Sequence, residues 1–371
     1  MIRAGSVAAL DCFLIADDLT GACDAAVHFA MHGYRTSVPV APGARLAGAA
    51  VIAMNTESRN LVPAAARDAV AAAAASLPLG PAAILFKKID STLRGSIGAE
   101  ITAALAAFAC DAALVCPALP RMSRIVDMGR LQIAGAADFA PIEVAVRLRA
   151  QGVERCVHAG LQTVAAAIRS GGRVIVLDAG SDVDLDQIAA EGLALDCRVL
   201  WAGSAGLAAA LARRLPGKAP TGPRIGHRGP ALFCIGSGHR ATIAQQTALV
   251  SQRRALLVDA GPASAECLKA ALGRGQHVVL RIPPGNHSAE WLQERVAGVR
   301  ASALVLSGGD TASLFCRAAA VQRIDLFEEI IAGVPCGVIR GGPFDGISVA
   351  TKSGGFGDPD ALIQIADFFH A

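Results

Sequence analysis

The apolar run Phe13-Leu-Ile-Ala16 stops at two adjacent carboxylates, Asp17 and Asp18, and Leu19-Thr-Gly21 then leads into an alanine-rich stretch, 22–31. A short, wholly apolar run reads as a strand buried on both faces, the habit of a parallel sheet. Two carboxylates side by side at its end are costly to desolvate unless cations or hydrogen-bond donors meet them. Acids in that position lie in the crevice beyond the strand ends, where open α/β sheets take up ligands. The competing explanation is a helix cap, which accounts for one Asp and poorly for both.

The same pattern recurs along the first half. Strands are expected at 11–16, 36–40, 50–54, 82–86, 112–116, 173–178 and 198–201, and helices at 22–31, 63–76, 97–109 and 161–169. Such alternation predicts a parallel sheet with helices on both faces. Proline and glycine crowd 215–230, which reads as a linker. A second series follows, with strands at 231–235, 255–259, 277–282, 303–306 and 334–340 and a helix at 239–251. The expectation is an α/β protein of two domains, each a mostly parallel sheet flanked by helices. The expected boundaries are 1–217, a linker at 218–229, and 230–371.

A second polar burst closes the strand at 82–86: Lys87, Lys88, Asp90, Ser91, Thr92 and Arg94 crowd one short turn. A guanidinium grips a carboxylate bidentately, and hydroxyls with an Asp read sugar hydroxyls. This suits a small, anionic, polyhydroxylated substrate; the plainer alternative is a capped helix start beside a solvated Lys pair. Arg59, in Asn55-Thr-Glu-Ser-Arg59, is a third candidate anion clamp.

The second half is glycine-rich at strand ends. Gly236-Ser237-Gly238 precedes a helix, where backbone N–H groups and the helix dipole hold phosphate. In Ser307-Gly-Gly-Asp-Thr311 the glycines Gly308 and Gly309 admit a ligand close to the backbone, and Asp310 either holds a magnesium ion or caps a helix that Thr311 helps open. Thr351-Lys-Ser-Gly-Gly-Phe-Gly357 supplies Gly354 and Gly355, with Lys352 either neutralising phosphate or lying in solvent. Neither the P-loop nor the dinucleotide fingerprint is present.

Composition excludes several classes. The net charge is only +3, with one Tyr and two Trp, which disfavours nucleic acid. Ten cysteines form no C-x-x-C pair, and apolar settings for Cys116, Cys234 and Cys336 point to reduced core residues and a cytoplasmic protein. The apolar stretch 69–77 is too short to span a bilayer, and residues 1–10 are too short for a secretory signal. His239, directly after Gly238, is a candidate ligand contact; the other histidines lack metal-ligand spacing, and no metal-ligating set is assigned. Ser204, in Gly203-Ser-Ala-Gly206, lacks the nucleophile-elbow spacing and reads as a strand-to-helix turn.

Taken together, Ala16-Asp-Asp-Leu-Thr-Gly-Ala22, Lys87-Lys-Ile-Asp-Ser-Thr-Leu-Arg-Gly95, Ser307-Gly-Gly-Asp-Thr-Ala312 and Thr351-Lys-Ser-Gly-Gly-Phe-Gly357 resemble the four-carbon acid sugar kinases, with support from Asn55–Arg59 and Cys116-Pro-Ala-Leu-Pro120. The motifs run in the family's order over nearly the whole chain. The resemblance implies an N-terminal acid-sugar domain, a C-terminal domain for ATP with Mg2+, and γ-phosphoryl transfer to a terminal hydroxyl of a threonate, erythronate or 3-oxo-tetronate type acid. It places Asp17, Asp18, Arg59, Asp90, Ser91 and Arg94 at the sugar, with Asp17 or Asp18 as the base and Asp310 as runner-up. It places Ser237, Gly308, Gly309, Asp310, Thr311, Gly354 and Gly355 at ATP, and domain closure would bring the two substrates together. A homodimer is compatible with it. The chain departs from the family pattern at Arg121-Met-Ser-Arg124, where relatives carry Gly-Arg, and 129–150 is shortened. A non-catalytic acid-sugar sensor is therefore a rival reading, and a nicotinamide oxidoreductase another that lacks its fingerprint.

Overall fold

The computed structural model describes residues 10–46, 48–76, 83–136, 139–218, 229–252, 254–285 and 287–370. The chain divides into two compact units, one of residues 1–34 and 47–220, the other of 35–46 and 221–371. Of the expected linker at 218–229, residues 219–228 lie outside the described residues, as do residues 1–9 of the N-terminus.

In chain order the structure begins with β1 (Cys12–Ala16), α1 (Leu19–Met31), β2 (Thr36–Pro39), β3 (Val51–Asn55) and α2 (Pro63–Ala74). β4 (Ile84–Lys88), α3 (Ile97–Ala107), β5 (Ala112–Cys116) and the short strands β6 (Arg124–Asp127), β7 (Arg130–Ile133) and β8 (Ile142–Glu143) follow. Then come α4 (Val144–Ala150), β9 (Cys156–His158), α5 (Val164–Arg169), β10 (Val174–Val176), α6 (Asp182–Leu193), β11 (Val199–Gly203) and α7 (Ala205–Arg214). The sheet of the first unit runs β3-β1-β4-β11-β5-β10-β9 with every described neighbour pair parallel. α1 and α6 pack against α7, while α2 and α4 pack against α3. All five residues of β1 are fully buried, as a central parallel strand requires; burying Phe13 alone contributes about 2–3 kcal/mol. β3 and β4 flank β1 on opposite sides, so the chain reverses its direction of growth at β1, the switch point where such sheets open a crevice.

Several elements go beyond those expected from sequence, among them two in the first unit. β6, β7 and β8 form a small antiparallel sheet over 124–143, and helix α6 begins with a capping box in which Ser181 and Asp184 satisfy each other's backbone N–H groups.

The second unit carries β12 (Ala231–Ile235), α8 (Arg240–Ser251), β13 (Ala255–Asp259), α9 (Ser264–Gly273), β14 (His277–Arg281), α10 (Ala289–Arg295) and β15 (Ala303–Ser307). It is completed by α11 (Gly309–Ala318), β16 (Arg323–Ile331), β17 (Val334–Arg340), β18 (Ser348–Lys352) and α12 (Ala361–His370). Its strands run β13-β14-β12-β15-β18-β17-β16-β2, parallel as far as β18 and antiparallel beyond. The N-terminal strand β2 thus pairs with β16, and Ser37 donates to Asp325 at 2.7 Å. Phe233, Ile235, Val279, Val305, Leu362 and Phe369 lie in its core. Among the described residues no helix is long and apolar enough to cross a membrane.

Candidate active site

The first unit gathers its charged residues at the carboxyl ends of β1, β3 and β4, which register places level: Ala16 faces Asn55 on one side and Lys88 on the other. Asp18 is the N-cap of α1, its Oδ1 accepting from Gly21 N at 2.9 Å and its Oδ2 from Thr20 Oγ1 at 2.9 Å. The helix therefore starts three residues earlier than Ala22, and capping explains one carboxylate only. A Cβ on Gly21 would overlap Asp18 Oδ1 and sit 3.1 Å from Lys88 Nζ, so a larger residue here would push the capping carboxylate aside.

The second carboxylate is met by a cation 42 residues on. Arg59 donates from Nε to Asp17 Oδ2 at 2.7 Å and from Nη2 to Asp17 Oδ1 at 2.8 Å, a bidentate pair. Its Nη1 reaches Asp18 Oδ2 at 2.8 Å, and Nη2 reaches Asp18 Oδ1 at 3.1 Å. The guanidinium is therefore spent on the two acids rather than presented as an open clamp. Asp17 is buried, with 1% of its side chain exposed against 14% for Asp18. Burial opposes ionisation of Asp17, but the charges of Arg59 and Lys87 and the Arg59 hydrogen bonds outweigh it and hold its carboxyl below the usual range. Burial likewise opposes charge on Arg59, and Asp18 and Asp17 more than compensate, raising its pKa.

Asp90 joins the cluster, its Oδ2 lying 3.6 Å from Arg59 Nη1 and accepting from Arg94 Nη2 at 2.6 Å. Its Oδ1 accepts from Thr92 N at 2.9 Å and from the Thr92 hydroxyl. Against the cost of burial, the Arg94 hydrogen bond and the charges of Arg59 and Arg94 push the Asp90 carboxyl far below its ordinary range. The turn is tight: Leu93 has φ 60° and Gly95 φ 91°. Ser91 is buried beside it, and the Arg94 side chain is 65% exposed. So Asp17, Asp18, Arg59, Asp90 and Arg94 form one connected network, and Ser91 lies in the same turn.

A layer behind this network was not read from sequence. Lys87 and Glu100, both buried, pair at 3.0 Å, and Ser58, next to Arg59, donates to the other Glu100 oxygen. The signal was available: Glu100 is a lone carboxylate in an otherwise apolar helix, Ile97–Ala107. Ser204 is a buried N-cap of α7, accepting from Gly206 N at 3.1 Å and donating to Ala118 O, as expected of a strand-to-helix turn.

In the second unit β12, β15 and β18 are adjacent and in register, Ile235 facing Ser307 and Ser307 facing Lys352. Their following loops consequently lie side by side. A Cβ on Gly354 would overlap Ser237 Oγ, and one on Gly308 would sit 3.3 Å from Ser237 Cβ and 3.4 Å from Thr311 Oγ1. Ser237, Gly308, Thr311 and Gly354 are thus brought together, with Gly355 beside His239. Gly308 has φ 102° and is the N-cap of α11, without a side-chain capping bond. The helix cap is therefore Gly308, and exposed Asp310 sits in the first turn rather than in the capping role that was its alternative. Bare backbone packed this closely at the starts of α8 and α11 fits a phosphate, and one exposed carboxylate beside phosphate oxygens suits Mg2+, whose sites combine a carboxylate or two with substrate phosphates. Lys352 is fully buried, which overturns the solvent-exposed alternative.

Two family models match the chain: a sugar-binding N-terminal domain over residues 12–143 and 143–211, and a nucleotide-binding C-terminal domain over 237–362. The chain belongs to the four-carbon acid sugar kinase family. It is 32% identical to a D-threonate kinase of Bordetella bronchiseptica, over 95% of this chain and 96% of the relative. It is 35% identical to a D-threonate kinase of Cupriavidus necator, over 94% and 95%. Other relatives of this kinase family include a 3-oxo-tetronate kinase and a D-erythronate kinase, at 30% and 28% identity. The crystal structure of Haemophilus influenzae protein HI1011 shares the fold with a TM-score of 0.71 at 20% identity, covering 97% of this chain and 100% of that one. With kinases throughout these relatives, the chain is a kinase, a phosphotransferase.

Proposed function

We propose that this kinase transfers the γ-phosphoryl group of ATP to the terminal hydroxyl of a four-carbon acid sugar, with D-threonate the first substrate to try. The observation that carries the proposal is the Asp17–Asp18–Arg59–Asp90–Arg94 network at the switch point of the first unit. It combines fixed carboxylates that accept from sugar hydroxyls with an exposed guanidinium, on Arg94, that suits an acid group. D-threonate comes first because the relatives at 32% and 35% identity are D-threonate kinases.

Asp18 is the better base. Arg59 reaches both oxygens of each acid, but the Asp17 side chain is only 1% exposed whereas that of Asp18 is 14% exposed and is the one a substrate hydroxyl can approach. Arg59 serves the site by fixing the two acids, and Asp90, Ser91 and Arg94 contact the sugar. In the second unit Ser237, Gly308, Gly309, Thr311, Gly354 and Gly355 would hold the triphosphate, and Asp310 would hold Mg2+. The metal would neutralise phosphate charge, the main requirement of phosphoryl transfer. The buried free thiols, Cys116, Cys234 and Cys336 among them, fit a reducing cytoplasm.

The test is ATP consumption by the purified chain with D-threonate, D-erythronate and 3-oxo-tetronate in turn, the product identified by phosphorus NMR. A phosphate ester at the terminal carbon of one acid is expected. Failure to consume ATP with any of them would end the proposal.

A further inference from the structure

The loop after β18 is held from behind. Lys352 Nζ donates to Ser353 O at 3.0 Å and to Phe356 O at 3.0 Å, and lies 3.4 Å from Thr242 Oγ1. Thr242, on α8, donates its hydroxyl to Gly354 O at 2.6 Å. Gln245, one turn later, brings its Nε2, with two N–H donors, within 3.0, 3.0 and 2.8 Å of Phe356 O, Gly357 O and Asp358 O. Every one of these acceptors is a main-chain carbonyl drawn toward the interior.

A planar trans peptide points its N–H opposite to its C=O. With Ser353 O and Gly354 O drawn inward, the N–H groups of Gly354 and Gly355 face the other way. Ser237 and His239 border the same loop: a Cβ on Gly354 would strike Ser237, and one on Gly355 would sit 3.2 Å from His239 Nε2. Among the described residues, neither N–H is given to a backbone carbonyl. Lys352 also reaches the neighbouring loop, since its own carbonyl accepts from Gly308 N at 2.8 Å.

We infer that Lys352, with Thr242 as its relay, is a positioning residue that presets the amides of Gly354 and Gly355 for a nucleotide phosphate without touching it. The inference rests on the reading of the second unit as the ATP site. The chemistry supports it from a second side. Lys352 is fully buried, and burial alone, with no charged partner adding to it, pushes its ammonium down to about 8. Keeping such a cation is costly, and a well-packed apolar side chain would stabilise the strand better if the lysine had only a structural role.

The experiment compares ADP and adenosine binding, by calorimetry and ligand-observed NMR, to the full chain and to Lys352→Met. Loss of preset amides removes hydrogen bonds to a charged group, so ADP should bind about 10–100-fold more weakly, while adenosine, which lacks phosphate, binds within about twofold of wild type. Thr242→Val removes the hydroxyl that holds Gly354 O at nearly constant shape and should give the same pattern in smaller degree; it carries the test if Lys352→Met does not fold. Unchanged ADP affinity in the folded variants would overturn the inference, and so would an equal loss of ADP and adenosine. If the wild-type chain binds no ADP at all, the ATP-site reading itself has failed.

Discussion

The guanidinium of Arg59 lies bidentate on the carboxylate of Asp17, Nε at 2.7 Å from Oδ2 and Nη2 at 2.8 Å from Oδ1. This single pairing explains how the strand β1 ends on two acids without an unpaired buried charge. It also assigns Arg59 to the architecture of the acids, leaving Arg94 as the exposed guanidinium of the network.

Arg59→Ala should cost about 3–5 kcal/mol of stability, because it strands Asp17 in a buried site. Arg59→Lys should recover only part of this, since an ammonium cannot make the planar fork. Urea unfolding of both variants checks the order; equal stability of Arg59→Ala and wild type would refute it.

Asp18→Ala should lower turnover by about a hundred- to ten-thousand-fold, the range expected for loss of a general base. The same change removes the N-cap of α1 and should cost about 1 kcal/mol. Steady-state kinetics with circular dichroism as the control of folding separate the two effects, and near-normal turnover would remove Asp18 from the mechanism.

Asp90 has a carboxyl held below its ordinary 3.8, against burial, by the hydrogen bond from Arg94 and the charges of Arg59 and Arg94. A depressed folded pKa means that its stabilisation is present above 3.8 and is lost as pH falls toward the folded value. The stability gap between wild type and Asp90→Asn should therefore narrow on acidification below about pH 4. A gap independent of pH would contradict the pairing.

Glu100→Gln leaves the buried Lys87 ammonium without the carboxylate charge now 3.0 Å away and should cost about 3–5 kcal/mol. Adding Lys87→Met removes the stranded charge, so the double variant should be more stable than Glu100→Gln alone. A double-mutant cycle by urea unfolding reads the coupling; strict additivity would show that the two residues do not act as a pair.

Lys352 gives the opposite pH behaviour from Asp90. Burial lowers its pKa from the ordinary 10.5 to about 8. Between those values the unfolded chain holds a proton that the folded chain has released, so the contribution of this group to stability rises with pH across that window. Wild-type stability minus that of Lys352→Met should climb from pH 8 to pH 10.5. A flat difference would mean that the ammonium is not desolvated as its burial implies.

Local pattern made much of this molecule legible. Phe13–Ala16 announces a buried parallel strand because four apolar residues in a row suit a sheet covered on both faces, and Asp17 and Asp18 announce a site because charge at such an end has to be met. The glycines at 308, 354 and 355 were readable for a similar reason, as backbone stripped of side chains after a strand. The helix start at Leu19, capped by Asp18, rather than near Ala22 needed the capping bond to Gly21 N, which sequence offers only as one of two explanations.

What sequence by itself determined is the set of local decisions: two series of strand–helix units, acids and hydroxyls after β1 and β4, bare backbone after β12, β15 and β18. Which charge meets which was decided only by tertiary structure. Asp17 and Arg59 stand 42 residues apart, Ser58 and Glu100 likewise 42, and Thr242 and Gly354 112. Strand order brings such residues together, and strand order depends on how whole faces pack, a non-local quantity that no window of sequence contains. The same reason placed β2 beside β16 and sank Lys352 into the interior, since pairing and burial belong to the assembled sheet rather than to the segment that carries the residue.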